Sequence, residues 1–113
     1  MKQAEIWEID LHPTMGAEIK KVRPAVIIND DAIGVLPLRV IVPITGWKNQ
    51  FQDAPWMVKL EPKPDNNLKK ISAADCFQIR SVSTRRFVRK IGTVSIEKLA
   101  LIKEAVKTVI DAD

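Results

Sequence analysis

Glu18, Lys20, Lys21 and Arg23 fall within six residues of one another in a chain of 113. They occupy the connection between two apolar runs, Trp7 to Leu11 and Ala25 to Ile28. An acid and several cations on a loop held against a rigid sheet is how a reactive or binding site is usually presented. A carboxylate can accept a proton, and Arg23 offers a planar, permanently charged fork of donors suited to a phosphate. The residue types point to a polyanionic ligand and proton-transfer chemistry.

Other chemistries lack their parts. His12 is the only histidine, so a mechanism that shuttles protons between two histidines is excluded. Its place beside Pro13 reads as a turn position. Cys76, the single cysteine, forms no internal disulfide and reads as a small buried hydrophobe in a reducing, cytoplasmic setting. No Cys/His cluster or carboxylate grouping has metal-ligand spacing, so neither metal nor cofactor is expected. The net charge of +4 and pI near 9.4 suit an anionic partner. Lys69 to Lys90 holds seven Lys and Arg against one acid, Asp75. With 5% aromatic residues, charge alone does not separate a nucleic-acid surface from an ordinary solvated face.

The elements that must position these residues are short strands. The length fits one domain spanning residues 1–113, and the 46% hydrophobic content is enough for a core. No apolar run approaches the roughly 18 residues of a membrane span, and Met1-Lys2-Gln3 leads straight into a strand rather than a signal peptide. Trp7, Ile9 and Leu11 alternate with Glu8 and Asp10, the period of a half-buried strand, and Pro13 to Gly16 ends it. Ala25 to Ile28 fits a strand buried on both faces, with Arg23-Pro24 closing the linker before it. Leu38 to Ile44 forms a third strand, whose Pro43 predicts an edge or a bulge. Trp47 to Pro55 reads as a mobile loop. Trp56 to Leu60 follows with Trp56, Val58 and Leu60 on one face, so Trp56 is expected to be buried. A strand from Ile71 to Ile79, bent near Asp75-Cys76, precedes a helical turn capped by Ser83 and a strand from Val88 to Gly92. Ser95 caps a terminal helix whose Leu99, Ile102, Val106 and Val109 form one stripe, with Val94 and Leu99 as a hydrophobic staple. The sum is a mainly β chain with a C-terminal α-helix, folded as a small, partly closed antiparallel barrel.

Glu5, Ile6, Trp7, Asp10, Pro13, Gly16, Glu18, Arg23 and Pro24 stand at fixed spacings that resemble the opening of the MazF/PemK (Kid-like) toxins of type II toxin–antitoxin pairs. Val42 to Gly46 (VPITG), Phe77 to Val82 (FQIRSV) and Lys90 to Leu99 (KIGTVSIEKL) are similar to later segments of that family. The resemblance implies an SH3-like barrel of the CcdB/MazF/PemK type. It also implies a homodimer with RNA in a groove between subunits, and a cognate antitoxin whose acidic, disordered tail occupies that groove. The implied activity is a metal-independent, sequence-selective endoribonuclease of single-stranded RNA, a cytoplasmic toxin that blocks translation and growth. Catalysis falls to the arginine and to the threonine of VPIT, here Arg23 and Thr45, with Glu18 as the candidate base. Lys20, Lys21, Trp47, Lys48, Gln78 and Arg80 are the candidate RNA contacts, with Trp47 rather than Trp56 the candidate for stacking on bases.

Ala4 replaces the family's opening glycine. One branch uses a histidine beside the glutamate and an aspartate before the Gln of Q-x-R; Ala17 and Phe77 stand there, so that branch's acid–base pair does not carry over. Simpler readings stay open. Arg23 suits a surface ion pair with Glu18, Thr45 a strand-end turn, and Arg80 a strand-face cation. A non-enzymatic binding protein of the same fold, either a gyrase poison or an RNA- or protein-binding module, is the alternative for the whole chain.

Overall fold

Short β-branched runs separated by Pro, Gly and Asp turns pair antiparallel into one seven-stranded sheet. In the computed structural model, which describes all of residues 1–113, the strands are β1 (Glu5–Asp10), β2 (Val22–Ile27), β3 (Leu38–Gly46), β4 (Met57–Leu60), β5 (Ser72–Asp75), β6 (Arg80–Ser83) and β7 (Phe87–Thr93). They run β4-β5-β3-β2-β1-β7, with β6 also on β3. The helix α1 (Ile96–Val109) packs on β4 and on the turn after β5. The expected barrel is therefore bent but not closed, since β4 and β7 share no ladder. No helix is long and apolar enough to cross a membrane.

β3 bends the sheet by changing partners. It pairs with β6 up to Ile41↔Arg80, with β2 from Ile41 to Pro43, and with β5 from Ile44↔Ala74 onward. Pro43 is thus neither at an edge nor on a bulge: it is buried, in the gap where β6 has ended and β5 has not begun. A residue without an N–H loses nothing on the side that has no ladder there.

Two apolar clusters lie on opposite faces. Val26, Val42, Ile44, Val58, Leu60, Cys76 and Ile102 belong to one, beneath the helix. Ile9, Leu11, Ala25, Ile27, Ile41 and Val82 form the other. Each fully buried Ile or Leu contributes roughly 1.5–3 kcal/mol, so both faces are held firmly. In β1 the expected alternation is interrupted. Register shifts between Ile6/Trp7 and Glu8/Ile9 bury Ile6 and Ile9 fully and leave Trp7 half-buried against Phe87.

Glu5 ties this region together. Its carboxylate accepts the Trp7 indole N–H at 2.9 Å and lies 3.3 Å from the Lys90 ammonium and 3.4 Å from the amino terminus. Burial opposes its ionisation, yet the Trp7, Lys2 and Lys90 hydrogen bonds hold its carboxyl down to about 2. The capping expectations hold: Ser95 Oγ accepts the Lys98 N–H at 3.1 Å and Ser83 Oγ accepts that of Arg85 at 3.2 Å. Val94, Leu99 and Ile102 meet in the first cluster, as the staple and stripe predict.

Candidate active site

Arg23 lies inside β2, not in the linker: β2 begins at Val22, and Ile9 faces Arg23 across β1. The β2–β3 register runs Ile27↔Ile41, Val26↔Val42, Ala25↔Pro43. The ladder ends there, and the same count carried two steps on sets Arg23 level with Thr45. Side chains alternate along strands, and Ala25, Ile27, Ile41 and Val82 all belong to the second cluster. By the same parity Arg23, Thr45 and Arg80 emerge on that face, beyond the edge of its apolar packing. Three strands thus bring to one surface residues that are 22 to 57 positions apart, by subtraction along the numbering.

Arg23 and Thr45 keep unused donors on that surface. Arg23 Nε donates to the Lys20 carbonyl at 3.3 Å, which fixes the stem and leaves both terminal nitrogens without an intrachain partner. No ion pair joins Arg23 to Glu18, so the simple salt-bridge reading of the pair is not what the fold contains. Thr45 is half-buried, paired on its other side with Ala73, and its hydroxyl has no intrachain partner. Arg80 NH1 reaches the Leu11 carbonyl at 3.5 Å.

Glu18 sits on the β1–β2 loop, exposed, and one carboxylate oxygen accepts the Met15 N–H at 2.7 Å in a turn that Gly16 enters at φ +57°. The loop is anchored from an unexpected quarter. Gln78 Oε1 accepts the Ile19 N–H at 2.6 Å, while its amide nitrogen donates to the Ala17 carbonyl at 3.4 Å and to Asp75 Oδ2 at 3.1 Å. Gln78, a candidate RNA contact, also clamps both neighbours of Glu18 to the turn after β5. Asp75 is the residue the sequence reading missed. It is 6% exposed, and burial raises its carboxyl above the ordinary range against the pull of hydrogen bonds from Phe77 and Gln78. Its only sequence signal is an acid inside an otherwise apolar strand.

Gln78→Leu keeps the volume and removes the clamp, stranding the Ile19 donor at a cost of about 1–3 kcal/mol locally. The 17–19 amides are expected to exchange with solvent faster while those of β2 and β3 keep their protection. Unchanged exchange at Ile19 would mean that the loop is held by something else.

The remaining candidates divide. Lys20 and Lys21 are exposed at the end of the Glu18 loop, with Lys21 in the left-handed region at φ +69°. Trp47 is half-buried, edge-on to Phe51 at 5.8 Å with the Lys59 ammonium 5.1 Å over its ring. Residues Asn49–Asp53 beside it, within the segment read as a loop, form a 3₁₀ turn, and Lys48 is exposed. Trp56 is not buried: it is 36% exposed, because β4 starts at Met57 and the ring turns outward onto Phe77. The Lys69 to Lys90 cluster is not one surface either. Arg89 pairs with Glu8 at 2.6 Å, Lys90 with Glu5, and Arg86 with the Asp10 and His12 carbonyls. Lys69 and Lys70 line a separate depression with Val22 and Pro24, which alternate with Arg23 and so face the other way.

His12 is a turn residue, its N–H on Asp10 Oδ1 at 3.0 Å and its ring Nδ1 3.2 Å from the same oxygen. Burial pushes the Cys76 thiol up to about 12, with the Asp75 carboxylate adding to it, so it is no nucleophile. Nowhere do three or more His, Cys, Asp or Glu side chains converge.

Residues 2–110 match the family described as PemK-like, MazF-like toxin of type II toxin–antitoxin system. Endoribonuclease MazF9 of Mycobacterium tuberculosis is 35% identical over 117 residues, covering 98% of this chain and 97% of that one. Endoribonuclease MazF of Staphylococcus saprophyticus is 31% identical over 107 residues, 94% of this chain and 88% of that one. Among solved structures, MazF from Deinococcus radiodurans superposes with a TM-score of 0.81 at 19% identity, covering 98% and 96% of the two chains. A mycobacterial endoribonuclease in complex with its cognate antitoxin gives 0.79 at 16%, covering 100% and 97%. At those identities the superpositions speak for the fold.

Proposed function

Since the chain belongs to the PemK-like, MazF-like toxins and is an endoribonuclease of a toxin–antitoxin pair, we propose that it cuts single-stranded RNA without a metal, through Arg23, Thr45 and Glu18. The observation that carries the reading is the β2–β3 register, which brings Arg23 and Thr45, each with unused donors, to one face. The nucleophile is the substrate's own 2′-hydroxyl, already adjacent to the phosphorus, so the attack gains the proximity of an intramolecular reaction. Glu18, with one oxygen on Met15 and the other free, takes the 2′-hydroxyl proton. As the pentacovalent phosphorane forms, charge grows on its non-bridging oxygens, and the Arg23 fork and the Thr45 hydroxyl stabilise it there. The 5′-oxygen leaves with a proton taken from solvent water, whose hydroxide recovers the proton held by Glu18, giving a 2′,3′-cyclic phosphate and a 5′-hydroxyl.

Lys20, Lys21 and Lys48 hold flanking phosphates, Gln78 and Arg80 meet the RNA beside the Glu18 loop, and Trp47 offers an edge to its bases. Residues 1–113 act as one domain in a cytoplasmic homodimer whose shared groove takes RNA or the acidic tail of the antitoxin, and RNA cleavage halts translation and growth. The selected RNA sequence is set by loop and groove shape. A purely binding role for the same fold is the competing reading. Incubating the pure protein with a long RNA in excess chelator and mapping the new ends decides between them. The expected result is cutting at a small set of sequences with cyclic-phosphate termini. Intact RNA, or cutting only on addition of magnesium, would refute the proposed chemistry.

A further inference from the structure

Phe77 is 63% exposed, an unusual place for a large apolar ring that belongs to a turn rigid on both sides. Cys76 before it is buried, with its N–H on the Trp56 carbonyl at 2.9 Å, and Gln78 after it is clamped to the Glu18 loop. The Phe77 N–H donates to Asp75 at 3.2 Å. Trp56 stands edge-on to the ring, centroids 5.8 Å apart at 75°. The fold holds this aromatic ring out in water with its backbone fixed. That arrangement has low entropy to lose on meeting a flat partner.

The ring lines a cavity of about 230 Å³ together with Glu18, Gln78, Arg80 and the apolar Leu11 and Pro43. That is smaller than the about 300–1,000 Å³ of drug-sized pockets and matches the scale of one planar ring system. It offers an aromatic wall, a guanidinium with donors and a carboxylate acceptor. Those are the elements with which unstacked bases are held: a π face for stacking, and donors and acceptors for the base edge. Pro43 and Arg80 place the cavity on the same face as Arg23 and Thr45.

We propose that this cavity binds one nucleobase of the RNA next to the cleaved bond, with Phe77 as its stacking platform and Arg80 reading its edge. The proposal rests on the RNA-cleaving reading and adds to it a residue that fixes which base is accepted. It assigns the platform to Phe77 over Trp47, whose ring is already engaged by Phe51 and Lys59. A guanidinium at the base edge favours rings that present acceptors there.

The test uses short single-stranded RNAs made uncuttable by 2′-deoxy substitution at the scissile position, each lacking one base in turn, with affinity read by fluorescence anisotropy. The parent protein should lose affinity when one particular base near the cut is removed. Phe77→Ala should weaken binding of the intact RNA by about 5- to 150-fold, the range seen for single base–aromatic stacks. Removing that same base should then cost Phe77→Ala nothing more, and Phe77→Trp should keep both the affinity and the base dependence. Unchanged thermal stability is expected, since the ring is exposed. Equal affinity for parent and Phe77→Ala, or an unchanged pattern of base dependence, overturns the proposal. So does a variant that keeps RNA affinity and loses only the antitoxin, which would make the ring a protein contact. A parent protein that fails to cut ordinary RNA in the same preparation sinks the nuclease reading instead.

Discussion

Arg23→Ala and Thr45→Ala should each lower turnover by about a hundred- to a thousand-fold, the usual consequence of removing one preorganised donor from developing charge. The expectation follows from which atoms are spare. Arg23 spends only Nε on its own backbone, and the Thr45 hydroxyl spends nothing, so little of the fold's hydrogen bonding depends on either side chain. Their loss should leave the melting temperature near that of the parent, and RNA should still bind. Arg23→Lys should recover little, because a point charge does not reproduce a two-donor fork. A 2′-deoxy nucleotide just 5′ of the cut should abolish cleavage at that bond alone. Should the deoxy substrate be cut at the normal rate, the attacking group is not the neighbouring hydroxyl and the assignment of Arg23 and Thr45 loses its basis. If both variants keep parental turnover while Gln78→Leu lowers it, the loop and not the β2–β3 pair carries the chemistry.

Gly92→Ala is expected to be the most damaging single methyl in the chain. A Cβ there would lie 2.4 Å from the Asp65 carbonyl oxygen and 2.8 Å from the Asn66 carbonyl. Those are backbone atoms, and their segment cannot yield. Asn66 is buried, its Oδ1 accepting the Lys63 and Leu68 N–H groups at 3.0 and 2.9 Å and its Nδ2 donating to Glu61 at 2.8 Å. The Thr93 N–H donates to the Asp65 carbonyl at 2.9 Å, and Asn67 reaches Ile91 at 2.8 Å. This clamped turn docks the β4–β5 connection onto β7, joining two ends of the sheet that have no ladder between them. Overpacking of this kind costs about 1–3 kcal/mol, sometimes more. At about 4–8 °C per kcal/mol for a chain near this size, the melting temperature should fall by roughly 4–24 °C. Val88→Ala, exposed on the same strand, should change stability by less than about 0.5 kcal/mol. A Gly92→Ala protein that melts with the parent would show that the turn does not bear on β7.

Local patterns reached the strands, the caps and the bend near Asp75, because each is set by a few adjacent residues. They failed wherever a residue's surroundings come from elsewhere. Pro43 looked like an edge residue because a missing N–H is costly in a ladder, and nothing nearby says that β3 exchanges β6 for β5 at that point. Trp56 looked buried because it shares parity with Val58 and Leu60, yet the strand starts one residue later and the ring turns out to Phe77. The basic run from Lys69 to Lys90 looked like one surface because it is continuous in sequence. Strand pairing sends part of it into ion pairs with Glu5 and Glu8, and part to the face opposite Arg23.

By itself the sequence determined the family, the mainly β class, the terminal helix and the residue types available for chemistry, through fixed spacings and local periodicity. Arg23, Thr45 and Glu18 were legible as candidates because their motifs are short and contiguous. That Arg23 and Thr45 share a face was decided only by the pairing of β2 with β3, since pairing partners far apart in the chain are chosen by packing. The same holds for Gln78 and Asp75, whose hold on the Glu18 loop spans about sixty residues. It holds too for the exposure of Phe77, which a hydrophobic residue in an apolar segment does not announce. A site of this kind is written in local motifs and assembled by long-range pairing.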